Sequence, residues 1–227
     1  MSKHLQRDLK DLEQGLLDQS SVVEQMVYRT CGALQELSTD ALRDIMVDEE
    51  SVNQREVQIE EECLKILALH QPVAVDLRRV ATIMKINADL ERIADLAVNI
   101  GERTSSLVMF PEFAPPPNLG EMSEIAIGMV RDALDAFVRL DAELAREVCL
   151  RDDEVDDLNR EFIQTLHGMI AANPSEVEAA LHYYSASRHI ERIGDHATNI
   201  SEDVIYLVDG EIARHRSDDI VVQRERS

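Results

Sequence analysis

The chain has 227 residues, 45 of them acidic against 23 basic, for a formal net charge of −22. A surface that acidic repels phosphate backbones and anionic headgroups, which sets aside nucleic acid and direct membrane insertion and leaves cations and basic protein surfaces as counterparts. Trp is absent, with only 8 Gly and 6 Pro, so the composition favours helices packed through aliphatic stripes over sheets.

The N-terminus, Met1-Ser2-Lys3-His4-Leu5-Gln6-Arg7-Asp8, runs into mixed charge with no apolar signal core, and no stretch reaches the roughly 20 apolar residues that span a bilayer. A cytoplasmic location is therefore expected. A first helix is expected over residues 4–37. A second starts near Ser38-Thr39-Asp40, whose side chains suit an N-cap, and runs to about His70. Gln71-Pro72 opens a third, carrying the inward stripe Ile83, Ile86, Leu90, Ile93, Ala97, Ile100. The prolines of segment 110–118 cannot continue a helix and mark a boundary. Beyond it come helices over 121–140 and from Asp141 to about Ala172, then one opening at Asn173-Pro174-Ser175-Glu176. From about Ile212 the tail is charged and expected to fray. Cys31, Cys63 and Cys149 show no CxxC spacing and read as small helix-face residues rather than a disulfide or thiolate framework.

The chain repeats itself. Residues 91–102 (ERIADLAVNIGE) and 191–202 (ERIGDHATNISE) are identical at eight of twelve positions, including every charged one. Duplication explains this better than chance. The expected fold is all-α: two antiparallel three-helix bundles in tandem, six helices in all, with a first bundle over 1–109, a linker over 110–118, a second bundle over 119–211 and a tail over 212–227.

Glu91 and Asp95 lie one helical turn apart on one face, and Glu191 and Asp195 repeat them. Like charges at that spacing repel unless something positive lies between, either a cation or a neighbouring Arg92 or Arg192. With Leu90 and Ile93 inward, these acids are expected towards the outer face, where a merely solvated charged face is the plain alternative. In an antiparallel hairpin, residues equidistant from the turn stand level. Glu49 and Asp95 are each 23 residues from Pro72, and Asn53 and Glu91 each 19. Asp152 and Asp156 stand in the same relation to Asp195 and Glu191 about the Asn173-Pro174 turn. Each unit could thus gather four oxygen-bearing side chains, with Asn99 and Asn199 continuing the face. All-oxygen ligation suits magnesium, manganese, calcium or iron better than structural zinc.

His182, His189 and His196 have no copies in the first unit and read as ordinary helical histidines. There is no Gly-rich phosphate loop, GxSxG or HExxH, and no histidine has Glu three residues before it, as a di-iron oxidase bundle would require. The chain is therefore read as not an enzyme. A metal-dependent phosphohydrolase using the clustered carboxylates is the alternative.

Gln71-Pro72-Val73-Ala74-Val75-Asp76-Leu77-Arg78-Arg79, then Leu90-Glu91-Arg92-Ile93-Ala94-Asp95, and finally Ser187 to Ile200 around Glu191-Arg192-Ile193-Gly194-Asp195 resemble the PhoU family of phosphate-uptake regulators over nearly the whole chain. The resemblance implies a negative regulator of phosphate uptake and of the starvation response. It would act as a cytosolic adaptor between a phosphate ABC transporter, through its ATPase subunit, and a sensor histidine kinase. The implied location is cytoplasmic, with recruitment by these partners to the inner face of the membrane, and the implied assembly is a homodimer. Some members bind metal clusters, iron or zinc among them, through Glu/Asp-x-x-x-Asp motifs. These correspond here to Glu91–Asp95 and Glu191–Asp195, with upstream versions at Glu49–Asn53 and Asp152–Asp156. Asn53 departs from the acidic pattern, and Ala94 stands where the family has Gly.

Overall fold

The aliphatic stripes form helices nearly throughout. A computed structural model of the chain describes residues 3–210. Its long helices are α1 (Lys3–Glu36), α2 (Leu42–His70), α3 (Ala74–Leu107), α4 (Asn118–Arg139), α5 (Ala142–Ala172) and α6 (Val177–Asp209). No strand occurs among the described residues, and the fold is all-α, with α1–α3 and α4–α6 forming two three-helix bundles. The tail from Ile212 lies outside the described residues.

Helix ends show where local chemistry decides. Asp141 caps α5, its carboxylate accepting from the N–H groups of Glu143 and Leu144 at 3.1 Å each, as its residue type leads one to expect. The Ser38-Thr39-Asp40 segment does not cap α2. Ser38 Oγ instead accepts from the Asp40 N–H, and the helix starts later, at Leu42, with Ala41 before it making no side-chain cap. Helix α4 starts a turn early, at Asn118 rather than 121, directly after the prolines that stop the linker. Asn118 anchors this turn by donating to the Leu158 carbonyl at 3.0 Å. Pro174 opens a single 3-10 turn before α6 rather than α6 itself.

The core follows the expected seams. Ile83, Ile86, Leu90, Ile93, Ala97 and Ile100 of α3 are all buried, as are Tyr183, Ala186, Ile190, Ile193, Ala197 and Ile200 of α6. Each large aliphatic side chain so buried contributes roughly 1.5–3 kcal/mol. The 110–118 segment joins this core: Phe113 is buried and stacks on Tyr183, with ring centroids 5.4 Å apart. The cysteines are unbridged and packed among the helices, Cys31 and Cys63 buried and Cys149 partly so. Burial pushes all three thiols up to about 12.

The bundles meet along α3 and α6, which run antiparallel. Lys85 Nζ lies 2.8 Å from the buried Asp203 carboxylate and over the Tyr206 ring, and His196 Nδ1 lies 2.8 Å from Asp89. Within each bundle, the first two helices are tied by an ion pair at equivalent positions: Arg29 with Asp48, and Asp132 with Arg151 at 2.7 Å. The pairs match in place and are reversed in sign.

Leu37 and Leu140 end α1 and α4 at matching places, and both adopt a left-handed backbone, with φ of 50° and 51°. A side chain there costs ~1–2 kcal/mol, and glycine is the usual occupant. Leu140 is 47% exposed, so it returns little burial for that strain. Leu140→Gly is expected to stabilise the protein by about 0.5–1 kcal/mol, read as a higher midpoint in urea unfolding. A lower midpoint would show that the leucine contacts outweigh the strain.

Candidate functional site

The carboxylates sit on unbroken helices whose apolar neighbours are buried, so the packed core fixes their backbone positions. In the second unit, Ile190, Ile193 and Gly194 are buried on either side of Glu191 and Asp195, while Val155 is buried between Asp152 and Asp156 on α5. The two helices pack closely here. A Cβ built on Gly194 would stand 3.8 Å from Asp152 Oδ1 and 3.7 Å from Val155.

The expected level pairs face one another electrostatically. Asp152 is pushed up to about 6, first by burial and next by the Asp195 charge, with Asp156 and Asp153 adding to it and the Thr198 side chain opposing. Burial likewise raises Glu191, with Arg188 opposing and then Asp156 and Asp152 adding. Asp195 is raised by burial, then by Glu191 and Asp156. Their exposure is uneven: Asp195 is exposed, as an outer-face position implies, whereas Asp152, Asp156 and Glu191 are partly covered. The Glu191 side chain is only 12% exposed, because the adjoining helix α5 covers it. Arg188 Nη1 reaches Glu191 Oε1 at 2.5 Å, and the buried Glu191 Oε2 has no hydrogen-bond partner.

The first unit is arranged differently. Asn53 Nδ2 donates to Glu49 Oε1 at 2.5 Å, and the buried Asn53 Oδ1 has no hydrogen-bond partner. Burial raises Glu91, then Asp95, with Arg92 opposing and Glu56 and Glu49 adding. Arg92 spans both acids, 3.4 Å from Glu91 and 3.6 Å from Asp95. The first cluster is thus partly neutralised by its own guanidinium, whereas Arg188 in the second touches the outer oxygen of Glu191. Asn199 does not extend the second cluster. Its amide turns across the bundle interface towards Asp89, at 3.4 Å. Asn99, its counterpart on α3, is half-buried.

Sequence reasoning missed four participants. Glu56 lies one turn beyond Asn53 on α2, and its charge acts on Glu91. Thr198 replaces Val98 of the first copy, and Arg188 replaces Ala88. His196, read as an ordinary helical residue, pairs with Asp89 between the bundles. Its signal was its place in the repeat, where the first copy has the buried Leu96.

Among the described residues, no three His, Cys, Asp or Glu side chains converge closely enough to hold a metal ion as they stand. The donor set nevertheless suits a cation in kind. It is all oxygen, strongly anionic in the second unit, and supplies unpartnered acceptor atoms at Glu191 and Asn53. Holding an ion requires side-chain rotation on a fixed backbone.

Crowding of carboxylates has a pH signature. The native state holds a proton on Asp152 more tightly than the unfolded chain does, so stability falls as pH rises from about 4 to about 6 and stays lower above that window. In a chelator, Asp152→Asn is expected to flatten this part of the stability profile and to raise the urea midpoint at pH 7. A variant profile parallel to that of the parent would refute the crowding.

The PhoU domain family model matches residues 16–104 and again 119–204, one copy in each bundle. Among similar proteins, a phosphate-specific transport system accessory protein PhoU homolog of Aquifex aeolicus is 34% identical over 210 residues, covering 92% of this chain and 95% of its own length. Its namesake in Pseudomonas putida is 38% identical over 218 residues, covering 95% of this chain and 84% of its own. The crystal structure of PhoU from Pseudomonas aeruginosa superposes with a TM-score of 0.86 at 36% identity, covering 91% of this chain and 99% of that one. The phosphate transport system regulatory protein PhoU from Streptococcus pneumoniae gives a TM-score of 0.85 at 26% identity, covering 92% and 98%. With both repeats matched and the fold shared from end to end, the chain belongs to the PhoU family.

Proposed function

We propose that this chain is a cytosolic negative regulator of phosphate uptake and of the phosphate-starvation response. It acts as an adaptor between the ATPase subunit of a phosphate ABC transporter and a sensor histidine kinase, as a homodimer drawn to the inner membrane face by these partners. The observation that carries this reading is the full-length match to proteins named as accessory and regulatory components of phosphate transport. The acidic surface supports it, because an adaptor of net charge −22 selects partners with basic patches and associates in a salt-dependent way. No helix among the described residues is long and apolar enough to cross a membrane, and the proposed recruitment runs through partners.

The two carboxylate clusters are the metal-binding part of the proposal. Glu191, Asp195, Asp152 and Asp156 would hold an ion in the second unit, and Glu49, Asn53, Glu91 and Asp95 one in the first, with iron, magnesium, manganese or zinc as candidates. A bound cation would neutralise the mutual repulsion that raises Asp152, Glu191 and Asp195 and would set the charge a partner meets on this face. The phosphohydrolase reading has less support. Arg92 and Arg188, guanidiniums at the clusters, are each already paired with a cluster carboxylate.

Deleting the gene in its host is expected to leave phosphate-starvation genes expressed in rich phosphate. Normal repression would overturn the regulatory reading. Elemental analysis of purified protein is expected to find metal that is lost in the Glu191→Ala, Asp195→Ala double variant and retained in an exposed Glu178→Ala control. Unchanged metal in the double variant would remove this site from the proposal.

A further inference from the structure

Comparison of the two copies singles out Gln19, the buried side chain on α1 whose whole amide lacks a partner. Helices α1 and α4 correspond with a shift of 103 residues: Ser20 and Ser123 are both buried, and each donates its hydroxyl to the carbonyl four residues back, at 2.8 Å. Beside Ser123 the second copy places Met122, fully buried. Beside Ser20 the first copy places Gln19, 3% exposed, with neither the amide oxygen nor the amide nitrogen hydrogen-bonded. A buried amide with no partner is costly, and the second copy shows that this position takes an apolar side chain without loss of the fold.

Gln19 lines a cleft between α1 and α2 together with Val22, Ser51, Gln54, Arg55 and Gln58. That cleft continues along the same helix pair through Asp11 and Glu62 to Asp8, Leu69 and His70. The trough follows α1 from Asp8 to Val22, about 20 Å at the helical rise per residue. Its carboxylates, Asp8, Asp11, Asp18 and Glu62, outnumber its fixed cations, Arg55 and Lys65. Asp18 shares Arg55 at 3.4 Å and Asp8 shares His70 at 2.9 Å, and Asp11 and Glu62 add further negative charge.

We propose that this trough binds an extended, neutral-to-basic polypeptide segment of a partner protein, read by the Gln19 amide. A carboxamide offers one acceptor and a pair of donors. An extended strand offers a matching free N–H and C=O, whereas a helix has already spent both internally and an anion supplies acceptors only. Rotation of the Gln19 side chain into the cleft gives its amide the partners it lacks when buried. The trough length accommodates about six extended residues, and its carboxylates select lysine or arginine among them. The site is separate from the carboxylate clusters of α2–α3 and α5–α6 and does not depend on metal.

The test is selection from a phage-displayed random dodecapeptide library on the full chain. Lysine- or arginine-bearing peptides are expected, and their synthetic versions should bind at least tenfold more weakly to Gln19→Met by fluorescence anisotropy. Gln19→Met is expected to fold and to melt at a higher temperature, since it removes an unpartnered amide. Gln25→Met, on the exposed face of α1, should leave binding unchanged, as should Glu191→Ala with Asp195→Ala, which keeps this result distinct from the fate of the metal reading. Absence of enrichment, equal binding by Gln19→Met, enrichment of acidic peptides, or a gain of helical circular dichroism in the bound peptide would each overturn the proposal.

Discussion

The packing of α3 against α6 is the contact on which the rest of the molecule depends. It is the most extensive helix pairing in the described chain, and it joins two bundles that otherwise touch mainly where α1 meets α4. Its centre is aliphatic, but its polar contacts are unequal on the two sides. Lys85 and Asp203, then Asp89 with His196 and Asn199, lie in one half of the interface. Their repeat counterparts are Ser185 with Arg103 and His189 with Leu96 and Asn99. The duplicated halves therefore meet through an interface that is no longer symmetric, and this fixes both acidic clusters to one rigid pair of helices.

Each cluster exists because a well-packed core holds like charges where water cannot fully screen them. Glu91 and Glu191 each flank buried isoleucine and alanine or glycine, and neither can withdraw without moving a core helix. The same core explains how the copies came to differ. A substitution such as Asn53 for an acid, or Arg188 for an alanine, alters the charge of a cluster and leaves the packing alone. The second unit retains four carboxylates, whereas the first has an amide and a bridging arginine. The two clusters of one chain thus differ in donor set and in charge.

Much of this was legible in sequence because helical periodicity and duplication are local signals. The seams of α3 and α6, the boundary at the prolines and the N-cap at Asp141 follow from spacing and residue type alone. Hairpin symmetry also placed Asp152 beside Asp195 and Asp156 beside Glu191. What it could not give was azimuth and reach. Whether Arg92 lies across Glu91 and Asp95, or Asn199 turns to Asp89, depends on side-chain direction and on a neighbouring helix more than a hundred residues away. The late start of α2 was missed because Ser38 satisfies a turn instead of a helix end, and both are open to the same residue type. Gln19 is silent in a one-copy reading and becomes informative only against Met122.

The reversed ion pairs bear on how a duplicated chain avoids confusing its own halves. Helices α1 and α4 share a pattern, as do α2 and α5, so a folding chain could pair α1 with α5 or α4 with α2. The first mispairing would set Arg29 against Arg151, and the second Asp132 against Asp48. Both put like charges where the correct bundles have Arg29 with Asp48 and Asp132 with Arg151. The pairs add little to the stability of either finished bundle, but the same four side chains would repel in either mispaired bundle.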